Sequence, residues 1–241
     1  MTAVLHTIER LPLSEALYRQ LKDRIVAGDF RPGDRLPSER VLSEETGVNR
    51  GAVREAIKRL QQAGLVAVRQ GGNHEVLDYL QEAGPELLPW LLMDRHGVFS
   101  PKVVRDLMAM RSVLAPEIAR AAALHGGDAL HASLLATWQT MVLRQDDVRA
   151  LQRHALQYWQ ALVTGSQNVA FQLSFNAMRK SYLKAWDAMT TVMADEFRDL
   201  DNLRAITDAV LRRDPLAATE AARRHVRIGE QAIARLFGEQ S

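Results

Sequence analysis

Apolar residues recur at every fourth position near the start of the chain, where Leu13, Leu17, Leu21 and Ile25 form one stripe among polar neighbours. That spacing predicts an amphipathic helix over residues 13 to 27, ended by Gly28. "RPGD" then turns the chain, because Pro32 fixes φ and Gly33 accepts the left-handed conformation. Ser38, after Pro37, reads as the N-cap of a short helix that runs through Thr46 and stops at Gly47. Asn49 caps the next helix, which carries Val53, Ile57 and Leu60 on one face and closes at Gly64. Beyond it, "LVAVR" is a short β-rich run, "QGGN" a tight turn and "HEVLDY" a return strand. Helix, helix, turn, helix, hairpin is the order of a winged helix-turn-helix.

After Tyr79 the alternation of strands disappears and helical stripes take over: Val103, Leu107, Met110 and Leu114; Leu130, Leu134 and Leu135; Leu156, Trp159 and Val163. Residues 102 to 237 read as an all-α bundle of about six helices, punctuated by "GGD", "GSQN" and "RRDP". "DYLQEAGPELLPWLLM" suggests one further helix between the two parts. The expected fold is therefore mainly α. A winged helix-turn-helix with a small β-hairpin wing occupies residues 8–77, a linker helix region 78–101, and an all-α effector-binding and dimerisation domain 102–238.

Composition narrows the class without naming a partner. The 241 residues are 47% hydrophobic and 25% charged, the balance of an ordinary globular protein. The absence of cysteine excludes disulfides and thiolate metal sites and suits a reducing compartment. No basic-then-apolar leader and no long uncharged apolar run is visible, so a cytoplasmic location without membrane contact is expected. The net charge is only +2, but the first 77 residues hold 12 Lys+Arg against 10 Asp+Glu, while the remainder balances at 19 each. The small positive excess sits in the N-terminal third, a weak pointer towards nucleic acid.

The stretch "GVNRGAVREAIKRLQQAGLVAVRQGG" supplies the candidate chemistry. In a winged helix-turn-helix the third helix enters the major groove with its N-terminal residues nearest the bases, while the preceding helix crosses the backbone. Asn49, Arg50 and Arg54 fall on that leading turn, where Arg reads guanine with two hydrogen bonds and Asn reads adenine. Gly51 and Ala52 have almost no side chain, which lets the helix come close and leaves room for a thymine methyl. Arg40 on the crossing helix, with Lys58 and Arg59 further along, suits phosphates. Gln70, Gly71 and Gly72 form the wing tip, placed to enter the neighbouring minor groove. Enzyme chemistry finds no footing: there is no cysteine, no Gly-rich phosphate loop and no serine elbow with a nearby base.

These residues carry a resemblance. "LKDRIVAGDFRPGDRLPSERVLSEETGVNRGAVREAIKRLQQAGLVAVRQGG" resembles the DNA-binding domain of the GntR family of bacterial transcription regulators, through "PGDRLPSER", "GV.R..VREA...L...GL" and the Gly-rich wing. The resemblance implies operator contacts for Arg40, Arg50, Arg54 and the wing glycine. The helical second part is similar to the FadR branch, whose C-terminal domain binds a small acid or an acyl-CoA and dimerises; "DLMAMRSVLAPEIARAAA" matches its first bundle helix, with Arg111 at its characteristic arginine.

Most members of that class hold a divalent metal with one aspartate and three histidines. Counting from "GSQN" and from Asp214, those positions fall on Ala155, Trp159, Leu203 and His225. Only the last can ligate, so the metal is expected to be lost and no cofactor is expected. A one-residue slip recruits His154, which still leaves a poor site; His125 and His131 read as surface. Apolar residues at Trp159 and Leu203 favour a larger, greasier ligand, and the resemblance to fatty-acid-responsive FadR regulators, which also lack the full metal set, implies long-chain acyl-CoA as a candidate effector. Arg111 would meet its carbonyl or anionic group, Tyr158, Trp159, Phe175, Tyr182 and Trp186 would line apolar walls, and His225 would complete the site. Aromatics at helical spacing read equally well as core.

The expected function is that of a ligand-responsive repressor: a homodimer that binds a palindromic double-stranded operator and is released by a small-molecule effector. A carboxylate- or sugar-acid-responsive regulator and an effector-independent architectural DNA-binding protein are the alternatives.

Overall fold

The computed structural model describes residues 12–69, 73–94 and 96–238. They fall into two compact units, one ending at Val98 and the other beginning at Phe99.

The first unit opens with α1 (Leu13–Val26). α2 (Glu39–Thr46) begins at Ser38, whose hydroxyl accepts the Val41 N–H, and ends at Gly47, where φ is 68° and a side chain would be strained. α3 (Arg50–Gln62) begins at Asn49, whose Oδ1 accepts the Ala52 N–H at 3.0 Å. α1 and α2 both pack on α3. Their joint core holds Leu17, Leu21 and Ile25 from α1, Leu42 from α2, and Val53, Ala56, Ile57 and Leu60 from α3. Each large aliphatic buried there contributes about 1.5–3 kcal/mol. That burial fixes the rotation of α3 and so decides which of its residues face outward.

β1 (Val66–Val68) and β2 (His74–Val76) pair antiparallel, with Val66 opposite Val76 and Val68 opposite His74. The hairpin has a third partner that no alternation in the sequence announces. Arg35 bridges to Glu75, the Leu36 N–H donates to the His74 carbonyl, and the Val76 N–H donates to the Asp34 carbonyl, both at 2.8 Å. The segment after "RPGD" thus braces the wing, and a single-residue bridge is too short to show a period of two.

The single helix expected from "DYLQEAGPELLPWLLM" is instead three short turns. α4 (Tyr79–Glu82) is followed by a 3-10 turn at Pro85–Leu87 and by α5 (Leu88–Leu91). Gly84 is extended, and Pro85 and Pro89 bring no N–H to a helical ladder, so continuity is lost. Leu87, Tyr79, Trp90 and Leu91 pack on the core of the first unit. The Trp90 ring covers the ammonium of Lys22, which is buried on α1.

The second unit is all helix among the described residues: α6 (Pro101–His125), α7 (Asp128–Leu143), α8 (Val148–Gly165), α9 (Val169–Lys184), α10 (Trp186–Val192), α11 (Ala194–Phe197), α12 (Leu200–Leu211) and α13 (Pro215–Leu236). That is more segments than the periodicity suggests, because non-helical backbone at Ala185 and Met193 divides the stretch between α9 and α12. Neither position is Gly or Pro. A cross-helix hydrogen bond accompanies the first break: Gln152 on α8 donates to the Trp186 carbonyl at 2.9 Å. The most extensive helix pair is α6 with α13, and both carry buried alanines, Ala115, Ala119 and Ala122 on one and Ala218, Ala221 and Ala222 on the other. Short side chains let helix axes approach closely. No helix of the described residues is long and apolar enough to cross a membrane.

Candidate functional site

With Val53, Ala56, Ile57 and Leu60 turned into the core, the outer face of α3 presents Arg50, Gly51, Arg54 and Lys58. Arg50 is exposed and has no hydrogen-bond or ion-pair partner among the described residues. Arg54 is exposed too, and its Nε donates to the Glu39 carboxylate at 2.7 Å, so α2 aims it. Arg40 pairs with Glu44 one turn along α2 at 2.8 Å. Exposed pairs like these are worth only about 0–1 kcal/mol and exchange readily for a phosphate or a base edge. Asn49 spends its Oδ1 on the cap and keeps its amide N–H donors. A Cβ at Gly51 would lie 3.3 Å from that Oδ1, so the small residue there serves the cap as well as close approach to a groove. Arg59 lies against α1 instead, partly exposed, paired with Glu15 and stacked on Tyr18.

At the base of the wing, Arg69 forks onto Glu75 at 2.9 and 3.0 Å and holds that carboxyl below its usual range. The Arg69 N–H donates to the Asn73 carbonyl at 2.9 Å and closes the hairpin. The wing-tip residues Gln70, Gly71 and Gly72 lie outside the described residues.

In the second unit the Arg111 guanidinium is taken up by a carboxylate of the chain itself. Its guanidinium forks onto the carboxylate of Glu196 on α11, with Nη1 2.9 Å from Oε2 and Nη2 2.5 Å from Oε1. Glu196 is 3% exposed and Arg111 18%. The Gly229 N–H donates to the same Oε2 at 3.1 Å, and His225 Nε2 stands 3.8 Å from Oε1. His225 Nδ1 is 2.8 Å from Asp199 Oδ2, and Trp159 stacks over the imidazole with centroids 6.1 Å apart.

The aromatics divide accordingly. Tyr158 is wholly buried and donates to the Leu203 carbonyl at 2.9 Å, with Thr207 Oγ1 at 2.8 Å; burial pushes its hydroxyl pKa well up. Its partners make it a core residue that ties α8 to α12. Tyr182 accepts from Gln152 at 2.8 Å and packs edge-on to Trp186. Burial raises its pKa as well, and its hydroxyl feels the charges of Glu196 and Arg111. Phe175 is half-buried on α9. The structure therefore brings Arg111 and His225 to one carboxylate, with Trp159 stacked on the imidazole and Tyr182 within electrostatic reach. Glu196, Asp199 and Gly229, which sequence reasoning missed, complete the cluster.

The family's metal does not fit these residues. Ala155 and Leu203 are buried carbon, Trp159 covers the one histidine, and both ring nitrogens of His225 face carboxylates of the chain itself. Among the described residues no group of three or more His, Asp or Glu side chains is arranged to hold an ion. His154 bonds to Gln157 on the surface of α8. His125 is exposed at the end of α6, whereas His131 is not a plain surface residue: it is partly buried on α7 with Nε2 inside.

Asp199 gives the cluster a pH signature. Burial pushes its carboxyl upward, but hydrogen bonds from His225 and Asn202 outweigh burial and hold it below the usual carboxylate value. A depressed pKa stabilises the fold above the ordinary value, near 4, and that contribution is lost as pH falls through the folded-state value. Comparing urea midpoints of the wild type and Asp199→Asn, the wild-type advantage at pH 6 is expected to shrink steadily below about pH 4. A gap independent of pH would remove Asp199 from the network.

A separate groove of about 640 Å³ runs along α7, α8 and α9, lined by Leu130, Leu156, Ala161, Gln160 and Arg179. None of the predicted effector residues lines it. The Nε of Arg179 is buried there without an acceptor.

Comparison with known proteins follows this division of the chain. The pattern described as "Bacterial regulatory proteins, gntR family" matches residues 13–76, and that of the FCD domain matches residues 106–228. The HTH-type transcriptional regulator Mce2R of Mycobacterium tuberculosis is 37% identical over 218 residues, 90% of each chain. The Glc operon transcriptional activator of Escherichia coli is 28% identical over 232 residues, 91% of this chain and 88% of its own. The fatty acid metabolism regulator protein of Serratia proteamaculans is 28% identical over 156 residues, 64% of this chain and 63% of its own. Among solved structures, Lar, which controls the Listeria monocytogenes agr system, superposes with a TM-score of 0.51 at 16% identity, covering 97% of this chain and 100% of its own. That last likeness concerns the fold.

Proposed function

The chain belongs to the gntR family of bacterial regulatory proteins, as a transcriptional regulator with an FCD effector-binding domain, and from that premise we propose that it represses transcription in the cytoplasm, binding a palindromic operator as a homodimer and releasing it on taking up a small anionic metabolite. The observation that carries the DNA half is the leading turn of α3, where Arg50 stands exposed without a partner and Arg54 is aimed by Glu39. One such helix reads a half-site, and a two-fold pair reads two half-sites about one helical turn apart. Arg40 sets register on a phosphate without choosing sequence, and the wing tip enters the neighbouring minor groove.

The effector half rests on Arg111. A guanidinium that already holds one carboxylate by its fork has the geometry to hold another, which favours a carboxylate metabolite. Long-chain acyl-CoA is the second reading. The volume at Ala155, Trp159 and Leu203 does not support it, because side chains fill that volume. The groove along α7 to α9 does support it, with its mainly apolar lining and the buried Nε of Arg179.

Release follows from two-state logic: a ligand that binds better to a dimer with displaced heads lowers operator affinity, by no more than its differential affinity for the two states. The test is selection from random duplexes with the purified protein. Enrichment of a palindrome whose arms lie about 10 base pairs apart is expected. Equal retention of all sequences would mark an architectural DNA-binding protein instead.

A further inference from the structure

The seat on Arg111 is built for a carboxylate and is filled by one of the chain's own. We propose that Glu196 is a built-in ligand of the effector domain: it occupies the place on Arg111 that an external carboxylate takes, and an effector binds by exchanging with it. The inference rests on reading the helical unit as the effector domain.

Three features distinguish this pair from an ordinary ion pair. The contact is a two-bond fork, the way a guanidinium reads a free carboxylate, and it joins residues 85 positions apart. A third donor comes from the main chain of α13, the Gly229 N–H. Gly229 is also the residue that makes room: a Cβ there would run into Glu196 Oε2 and the end of Met193. A glycine inside a helix is destabilising relative to alanine. The chain bears that cost at the one point where α13 receives the carboxylate.

The carrier of the carboxylate differs from the walls of the seat. Arg111 and Gly229 sit within two of the longest helices, α6 and α13. Glu196 sits on α11, four residues long and preceded by the break at Met193. A short segment next to a break swings out at lower cost than a long packed helix. The Arg111 side chain remains 18% exposed, whereas that of Glu196 is 3% exposed.

Exchange sets a requirement on the ligand. Glu196 is tethered, so its effective concentration at Arg111 is in the millimolar range or above. A simple carboxylate with no other contact does not compete with it. The effector must carry a carboxylate, or a planar anion of the same shape, together with a body that makes contacts Glu196 does not. Such a ligand pulls α11 out of the seat as it binds, which couples occupancy to movement.

Glu196→Ala empties the seat and tests this directly. The variant is expected to melt roughly 10 °C below the wild type. Acetate or propionate at about 1–100 mM is expected to restore about half of that loss in a saturable way, with chloride at equal ionic strength as the control. The wild type and the double variant Arg111→Ala with Glu196→Ala should show no such response. If Glu196→Ala does not fold unaided, its refolding yield with and without propionate is read by circular dichroism instead. Recovery with propionate supports the built-in ligand; a folded variant, or a refolding yield, indifferent to carboxylate overturns it. Operator binding by the wild type in the same buffers separates the two readings. Operator binding without rescue removes only the built-in ligand, and rescue without operator binding keeps the seat and removes the regulator.

Discussion

Arg111→Ala is expected to destabilise the helical unit by about 3–5 kcal/mol, read from urea unfolding followed by circular dichroism. The loss comes from the partner left behind. Glu196 is 3% exposed, so without the guanidinium its carboxylate keeps only the Gly229 N–H and the neighbouring His225 to offset burial. Desolvating a carboxylate is costly, and breaking such a pair from one side leaves that cost uncompensated. Arg111→Lys should recover only part of the loss, because an ammonium is a point charge and cannot engage both oxygens in the plane of the carboxylate. A loss under about 1 kcal/mol would place the pair with ordinary exposed ion pairs and take away the seat on which the effector reading depends.

Arg50→Ala and Arg54→Ala are each expected to cost about 1–3 kcal/mol of specific DNA binding, roughly 10- to 100-fold at fixed salt, with relaxed preference at one base pair of each half-site. Arg40→Ala should behave differently. If Arg40 holds a phosphate, its loss weakens all sequences alike and lowers the salt slope by about 1. Fluorescence anisotropy across a salt series separates these behaviours. Equal loss on specific and random duplexes for Arg50→Ala would take base reading away from the leading turn of α3.

The N-terminal unit was legible in the sequence because its signals are local. Ser38 and Asn49 cap the helices that their positions suggest, and Gly47 takes the positive φ that stops α2. The braces that span the unit leave no such mark. Arg35 pairs with Glu75 across 40 positions through a single bridge, and nothing periodic surrounds it. Pro85 and Pro89 stand in the sequence as helix breakers, and the stretch that suggests one further helix is divided where they fall.

The second unit shows the opposite balance. Its helices follow from stripes and turns, but its chemistry is a matter of long-range partners. Arg111 stood out, while its partner lies in "MADEFRDL", where an acidic residue among acidic residues carries no signal. One physical clue was available. An arginine amid Met108, Met110 and Leu114 on a core-facing helix calls for a buried counter-ion, and Glu196 and Asp199 flank the buried Phe197. Trp159 illustrates the converse: sequence alone reads a tryptophan at a ligating position as space for a greasy ligand. In the fold its own ring occupies the space, stacked on His225.

DNA binding by the first unit is expected to answer to an anion taken up by the second. The most direct measurement is the affinity of the full chain for its selected palindrome, at one fixed salt concentration, with and without carboxylate metabolites and, separately, a long-chain acyl-CoA at micromolar concentration. The expected result is binding at least about 1,000-fold tighter than to random duplex, weakened about 10-fold or more by one of these anions. Equal affinity for palindrome and random duplex, unmoved by any anion, would contradict it.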